Sequence, residues 1–210
     1  MTSFPPQPSW ADEDSASIRP WLIPPPPDSD PVVWANRYLG WVRQRSLQTD
    51  WIAITSADVH HLAVLTAIGQ RIHILNQRLN DSLLTLLNGL RPEERPTIQL
   101  VAAPIALKVG IDGFCNLNTQ PVTLVVDPSR IDPVDWPHLV AHELAHAITQ
   151  GSGHGSQFFQ VLSSLCLAQD LPIPPSDSLQ RGVLPYWPPC RPNPEADLFW
   201  VEGRWSDSLP

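Results

Sequence analysis

Cysteine is scarce in this sequence: Cys115, Cys166 and Cys190 are the only three, and no two of them form a CxxC pair. A structural zinc bound by four ligands usually draws on such closely spaced pairs, so the spacing excludes a zinc ribbon within one chain. Cys115 falls in a predicted strand and Cys166 on a predicted apolar helix. We expect both to be packing residues rather than nucleophiles.

The sequence also lacks any apolar run of about 18 residues, the minimum for a membrane-spanning helix. Residues 1–6 have neither a basic start nor an apolar stretch, so they do not predict a secretion signal. Together with the scattered cysteines, these absences favour a cytoplasmic protein with reduced thiols and no membrane partner.

Positive charge is limited as well. The chain has 13 Lys and Arg against 21 Asp and Glu, a net charge of −8. Beyond residue 171 only Arg181, Arg191 and Arg204 occur, and the arginines nearer the start are spread out. Binding to DNA normally needs a basic patch that displaces counterions from the phosphates. The charge pattern therefore gives little support for a nucleic-acid partner.

Proline, by contrast, is abundant: its 25 residues cluster towards the two ends and help to divide the chain. The acidic, proline-rich start predicts a disordered tail, and the pattern leaves open whether Trp10 and Trp21 within it dock onto the domain or onto a partner. The aromatic residues of the proline-rich end argue against pure disorder; that end could wrap the domain, cover a cleft or bind a partner. The predicted segments are a tail (1–29), a helical segment (30–92), a core (93–171) and a C-terminal extension (172–210).

Two helices are predicted in the helical segment. Asp30 as N-cap and Pro31 at the first helical position begin one helix. A longer helix runs from about residue 57 to residue 88 and is ended by Gly89. Its apolar residues recur at steps of three and four, which predicts a core-facing stripe, with a dimerising heptad seam as the alternative. The stripe consists of Leu65, Ile68, Ile72, Leu75, Leu79 and Leu86.

Strands are predicted further along the chain. Apolar and polar residues alternate enough over residues 97–103 to predict a strand. Pro104 keeps this strand short or places it at the edge of the sheet. Residues 109–116 and 122–127 predict a pair of strands joined by a short connection.

The most specific pattern is His142-Glu143-Leu144-Ala145-His146, an HExxH motif in a segment predicted to be helical. Four residues are slightly more than one helical turn, so the two histidines project from the same face. They can bind one Zn²⁺ at about 2.0–2.1 Å. Glu143 points beside the metal, where it can take a proton from a zinc-bound water.

A third ligand is expected after the motif. Gly151 and Gly153 can end the helix in the left-handed conformation, and the turn can bring His154 back over the metal. Three protein ligands leave the fourth position for water, which distinguishes a catalytic zinc from a structural one. The alternative is that His154 is a solvated loop histidine.

The motif, followed by His154-Gly155-x-x-Phe158, resembles the SprT-like metallopeptidases of the minimal gluzincin (minigluzincin) group. The segment Gly113-Phe114-Cys115-Asn116, the strand at 122–127 and the zinc-motif helix follow in the same order as in that family. The resemblance covers residues 97–171, about a third of the chain. It implies an α+β fold, with a zincin core made of a short antiparallel or mixed sheet and the zinc-motif helix.

Carried over by position, the resemblance implies that His142, His146 and His154 are the zinc ligands and that Glu143 is the catalytic base. In gluzincins the third ligand can instead be an acid on the following helix, for which Asp170 is the nearest candidate. The resemblance also implies that the strand at residues 113–118 lies at the sheet edge and hydrogen-bonds an extended substrate.

The chain departs from the family in two respects. Many SprT-like proteins carry a cysteine-rich zinc ribbon after the core, and this chain has no cysteines for one. The better-known members cleave proteins crosslinked to DNA and carry basic DNA-binding extensions. The resemblance thus allows a DNA-linked role that the charge of this chain does not support.

The sequence therefore predicts a zinc metallopeptidase that hydrolyses protein or peptide substrates with water activated by Glu143. Tyr186 and His138 are the available candidates for the donor that stabilises the oxyanion. Two alternatives remain: a zinc hydrolase of a small amide or ester, and a catalytically silent scaffold that keeps the zinc site. An intact Glu143 argues against the scaffold. The sequence does not indicate an oligomeric state.

Overall fold

The computed structural model describes residues 17–54 and 60–203. Within these ranges, six α-helices and a three-stranded mixed sheet form an α+β fold. None of the described helices combines the length and the apolar character that crossing a membrane requires. The helices are α1 (Pro31–Arg43), α2 (His61–Asn88), α3 (Trp136–Thr149), α4 (Ser156–Ala168), α5 (Ser178–Arg181) and α6 (Ala196–Glu202). The strands are β1 (Ile98–Ala102), β2 (Gly113–Asn116) and β3 (Val122–Val126).

The sheet has β3 at its centre, parallel to β1 and antiparallel to β2. All five residues of β3 are buried, as the near-continuous apolar run Val-Thr-Leu-Val-Val favours. The three predicted strands are confirmed, but β2 is shorter than residues 109–116. The first part of the predicted strand is instead the end of a 3₁₀ turn, followed by Gly110. The left-handed φ of 70° at Gly110 is incompatible with a strand. β2 is therefore a short edge strand.

The helical segment forms as its sequence predicts. The Asp30 side chain caps α1 by accepting hydrogen bonds from the backbone N–H groups of Val32 and Val33. α2 packs against α1, α3, α6 and β1, and the six residues of its apolar stripe are all buried in the core. The core-facing interpretation of the stripe is therefore confirmed.

Trp21 lies in the segment predicted to be a disordered tail, yet it is buried. Its ring packs against Trp34 and Tyr38 on α1, at centroid distances of 5.1 and 5.2 Å. Burying an indole supplies a large apolar contact. Of the two possibilities that the sequence left open for Trp21, the structure shows docking onto the domain. Residues 1–16, with Trp10, and the predicted start of α2 before residue 60 lie outside the described residues.

The C-terminal extension, described over residues 172–203, wraps the domain. Trp200 donates from Nε1 to the buried carboxylate of Asp127, and Phe199 packs edge-on against Trp136 at the start of α3. Of the three roles that the sequence left open for this extension, the structure bears out wrapping. It also brings the extension next to α3, the helix that carries the HExxH motif.

Candidate metal centre

α3 carries the HExxH motif, which confirms that the motif is helical. Most of its apolar residues are buried, and this anchoring fixes the direction of the polar side chains. The rings of His142 and His146 lie on one face of α3 with their centroids 5.0 Å apart. Glu143 points to the neighbouring side and is 4% exposed.

The end of α3 differs from the sequence prediction. The left-handed residue that closes the helix is Gln150, with φ of 52°, and neither Gly151 nor Gly153 has a positive φ. The N–H groups of Gln150 and Gly151 both donate to the carbonyl of His146, which terminates the helix. Gly151 has another role, because its carbonyl accepts a 2.8 Å hydrogen bond from Nδ1 of His146.

His154 returns to the face that carries the motif. Its Nε2 lies 3.1 Å from Nε2 of His142, and its ring centroid lies 4.8 Å from that of His146. Phe158, on the first turn of α4, packs against all three imidazoles at centroid distances of 5.1, 4.6 and 4.7 Å. The packing of α4 on α3 therefore holds His154 beside the motif.

Backbone carbonyls orient two of the three imidazoles. Nδ1 of His142 lies 2.8 Å from the carbonyl oxygen of Trp187, and Nδ1 of His146 makes the bond to Gly151. A carbonyl oxygen can only accept, so each Nδ1 carries the hydrogen and each neutral ring keeps a free electron pair on Nε2. Metal-binding histidines commonly have such a partner on the second nitrogen.

Burial keeps these imidazoles neutral. It lowers the pKa of His142 to about 4; the Trp187 carbonyl opposes this shift, and the two neighbouring histidines add to it. Burial likewise lowers the pKa of His146 and of His154. Neutral imidazole is the form that binds a metal ion. Near neutral pH the three histidines are therefore in the protonation state that metal binding requires.

Glu143 is buried beside this cluster, and its Oε2 has no hydrogen-bond partner in the described part of the chain. Burial raises the pKa of Glu143 to about 8, and the nearby Asp112 carboxylate adds to the rise. Gly113 of β2 lies against it: a Cβ at that position would be 3.0 Å from Oε1 of Glu143. The edge strand and the carboxyl group are therefore in close contact.

The residues present fit a zinc ion. Two ligands of a tetrahedral zinc with bonds of about 2.0–2.1 Å are about 3.3 Å apart, close to the 3.1 Å between Nε2 of His142 and Nε2 of His154. The candidate ligand atoms of the three histidines all lie within 4.8 Å of one another. The buried Oε2 of Glu143 is a polar atom that needs a partner, as expected beside a hydrated metal.

Asp170, the alternative third ligand, is not part of this cluster. It follows the end of α4, whereas His154 precedes its start, and a helix of 13 residues spans about 20 Å. The structure therefore contradicts Asp170 as a ligand. His60, His61 and His73 also lie outside the cluster.

A cavity of about 830 Å³ opens over the three histidines. One wall contains β2 and Trp51, and the other is residues 185–190 of the extension. Both candidate oxyanion donors line it: Tyr186 is 81% exposed, and His138 donates from Nδ1 to the carbonyl of Pro189. None of the described residues that line the cavity is a lysine or an arginine.

The contribution of the extension is the part of the site that sequence reasoning missed. The Trp187 carbonyl orients His142 from 45 residues away, and a backbone carbonyl has no side-chain signature in a sequence. The run Pro185-Tyr186-Trp187-Pro188-Pro189 is the available signal, since prolines favour an extended backbone that leaves its carbonyls free.

Comparisons of the chain with protein-family models, curated proteins and solved structures find no match. The site therefore rests on the residues and their geometry.

Proposed function

We propose that this chain is a zinc-dependent metallopeptidase with a zincin-like core of the SprT-like kind. His142, His146 and His154 hold the zinc, and Glu143 is the catalytic base. One observation carries the proposal: three imidazoles kept neutral by burial converge beside a buried glutamate, one oxygen of which has no partner among residues 17–54 and 60–203.

The chemistry divides between the ion and the protein. When bound, zinc would polarise the scissile carbonyl and make water a stronger acid and nucleophile. Glu143 accepts the proton of the attacking water and passes it to the leaving amine. Its raised pKa suits both steps near neutral pH, because the same carboxyl group must take up a proton and then release it.

The edge strand supports an extended peptide as the substrate. The N–H of Asp127 donates to the carbonyl of Asp112, and hydrogen-bonded pairs alternate along an antiparallel ladder. The backbone groups of Gly113 and Cys115 therefore point away from β3, and no described residue pairs with them. A substrate can add there as a further strand.

The walls of the cavity favour apolar substrate side chains. Trp51 and Phe114 pack edge to face with their centroids 5.3 Å apart beside β2, and both line the cavity. A space of about 830 Å³ accommodates more than the reacting peptide group.

Tyr186 is the better candidate for the oxyanion donor. Its side chain is exposed in the cavity, so its hydroxyl is available to a substrate. Nδ1 of His138 is already engaged by the Pro189 carbonyl. A phenolic O–H can donate to the oxyanion that develops during attack on the carbonyl.

The decisive comparison is zinc-loaded wild type against Glu143→Gln, with unfolded casein and with the protein itself as substrates. Loss of the base should slow cleavage by about 10²–10⁴-fold, while zinc binding persists because the three ligands remain. Wild type that binds zinc but cuts neither substrate would contradict a general peptidase and favour a small-molecule hydrolase or a silent scaffold.

The same assay with single-stranded DNA tests the DNA-linked role of the resembling family. We expect no stimulation, because the cavity lacks basic residues and the chain carries a net charge of −8. Stimulation by DNA would show that a nucleic-acid surface exists elsewhere on the chain.

A further inference from the structure

We infer that the C-terminal extension is an integral part of the metal centre and that Arg191 is a positioning residue for zinc. Through Asp135, Arg191 fastens the extension to the start of α3, so that the Trp187 carbonyl holds His142 in its ligand orientation. The inference rests on the proposed function, because it concerns the same zinc site.

The contact with His142 is direct. The Trp187 carbonyl accepts the hydrogen bond from Nδ1 of His142 at 2.8 Å. The indole of the same residue donates from Nε1 to the carbonyl of Pro172 at 2.7 Å, which ties this part of the extension to its own beginning. Without that carbonyl, the His142 ring would be free to turn or to move its proton to Nε2.

The extension makes more than one hydrogen bond to histidines of α3. The carbonyls of Trp187 and Pro189, two residues apart, accept hydrogen bonds from His142 and His138, four residues apart. Two residues of extended chain span about 6.6 Å, and four residues of helix rise about 6.0 Å. The extension therefore runs along α3, and the spacing of its two carbonyls is close to the spacing of the two histidines on the helix.

Arg191 anchors this arrangement. Its Nε and its backbone N–H donate to Oδ2 of Asp135 at 2.9 and 2.8 Å, and a terminal guanidinium nitrogen donates to Oδ1 at 3.1 Å. A bidentate pair of this kind fixes direction as well as distance. The backbone carbonyl of Arg191 also accepts from the N–H of Asp132.

Asp135 serves this contact instead of capping its own helix. It occupies the N-cap position of α3, where an aspartate usually accepts hydrogen bonds from the first N–H groups, yet its side chain makes no such bond. The carboxylate is directed to Arg191, which holds the pKa of Asp135 below its ordinary value. The helix that carries the zinc motif thus uses its N-terminal carboxylate to hold the extension.

The test compares zinc affinity in Arg191→Ala and wild type by competition with a chromophoric chelator. Loss of an outer partner of a metal ligand typically weakens metal binding about 10–100-fold, and we expect a change in that range. A purely electrostatic effect would strengthen zinc binding instead, since the variant removes a positive charge near a cation. Arg181→Ala is the matched control: Arg181 pairs with Asp177 on the same extension, and both side chains are exposed.

A second readout follows the extension itself. Cys190 precedes Arg191 and is half-buried, and burial raises the pKa of its thiol to about 12, so it should react slowly with iodoacetamide. In the zinc-free Arg191→Ala variant, mass spectrometry should show faster alkylation of Cys190, and in Arg181→Ala an unchanged rate. Circular dichroism checks that each variant is folded.

Weaker zinc binding together with faster alkylation supports the inference. Unchanged zinc affinity overturns it, whatever the alkylation rate, and weaker binding without faster alkylation overturns the role of the extension. Wild type that binds no zinc would overturn the proposed function, and the inference with it. If Arg191→Ala does not fold, Arg191→Lys replaces it: this variant keeps the positive charge, loses the bidentate contact with Asp135, and should show the same two changes to a smaller extent.

Discussion

Two buried polar side chains, Asn76 on α2 and Glu143 on α3, show how differently the two halves of the molecule are built. Asn76 donates to the carbonyl of Trp21 at 3.1 Å and accepts from the N–H of Ala102 at 3.0 Å, which joins α2 to the segment before α1 and to β1. Glu143 is almost as buried, but its Oε2 has no partner among the described residues.

The difference separates stability from function. A buried polar group without a partner costs about 1–3 kcal/mol. Nδ1 of His73 on α2 is another such atom, but among the described residues it is Glu143 that lies beside a cluster of three possible metal ligands. Three imidazoles with lowered pKa values surround the same place. The helical half is organised for packing, whereas the candidate metal centre on α3 gathers polar side chains at one place.

Two glycines, Gly69 and Gly113, show the same contrast between the helical half and the site on α3. Gly69 lets α2 touch the start of α1: a Cβ there would lie 1.8 Å from the carbonyl oxygen of Pro31. Gly113 lets β2 touch the carboxyl group of Glu143. Both glycines allow close approach, one for the packing of helices and the other beside the buried carboxyl group of Glu143.

The largest expected effect lies in the helical half. Gly69→Ala should lower the free energy of unfolding by about 3 kcal/mol or more, because backbone cannot move aside as a flexible side chain can. Urea denaturation measures it. Gly40→Ala on α1 is the control; nothing lies within 4 Å of its Cβ position, and alanine there should stabilise by about 0.5–1 kcal/mol. Equal effects of the two changes would contradict the packing described for Gly69.

In the metal centre, His154→Ala should weaken zinc binding by more than about 100-fold, beyond the usual effect of losing an outer partner. The fold should be retained, because His154 is only partly buried. Asp170→Asn should leave zinc affinity unchanged, and asparagine tolerates the left-handed φ of 52° at that position. A larger loss from the Asp170 change would restore Asp170 as the ligand. Isothermal titration calorimetry compares the two variants.

The metal-free protein should show the cost of burying Glu143 as a pH dependence. The pKa of Glu143 is raised from 4.5 to about 8 in the folded state. Above about pH 6.5 the unfolded histidines are largely neutral, and the unfolded chain has lost the Glu143 proton that the folded chain still holds. The unfolding free energy of wild type relative to Glu143→Gln should therefore fall by about 1.4 kcal/mol per pH unit towards pH 8.

This slope is measured by urea denaturation in the presence of a chelator. Taking the difference between the two proteins removes the contribution of the histidines, which both contain. A difference that does not vary between pH 6.5 and pH 8 would mean that Glu143 is already ionised in the folded, metal-free protein.

The smallest expected effect is that of Gly113→Ala. The new methyl group must displace the Glu143 carboxyl by a few tenths of an ångström, and a misplaced base should slow peptide cleavage about tenfold while zinc affinity is kept. Gly153→Ala, next to His154 but with nothing within 4 Å, should cleave at the wild-type rate. Steady-state kinetics on one peptide substrate tests both, and equal rates for Gly113→Ala and wild type would contradict the contact.

Much of the fold could be predicted from local patterns. The cap at Asp30, the stripe on α2, the three strands and the helix of the motif all depend on residues close together in sequence. The place of Trp21 stayed open, because its burial depends on rings contributed by another element. The prediction failed at the end of α3, where Gln150 rather than a glycine adopts the left-handed conformation.

The sequence by itself determined the chemistry on α3, because the helical repeat brings His142 and His146 to one face and sets Glu143 beside them. Only the tertiary structure decided what surrounds them. Packing of α4 returned His154 to the cluster and carried Asp170 away from it. The extension brought the Trp187 carbonyl to His142, a contact across 45 residues that no local pattern contains. Such contacts arise when the core forms, since they join segments that meet only in the folded chain.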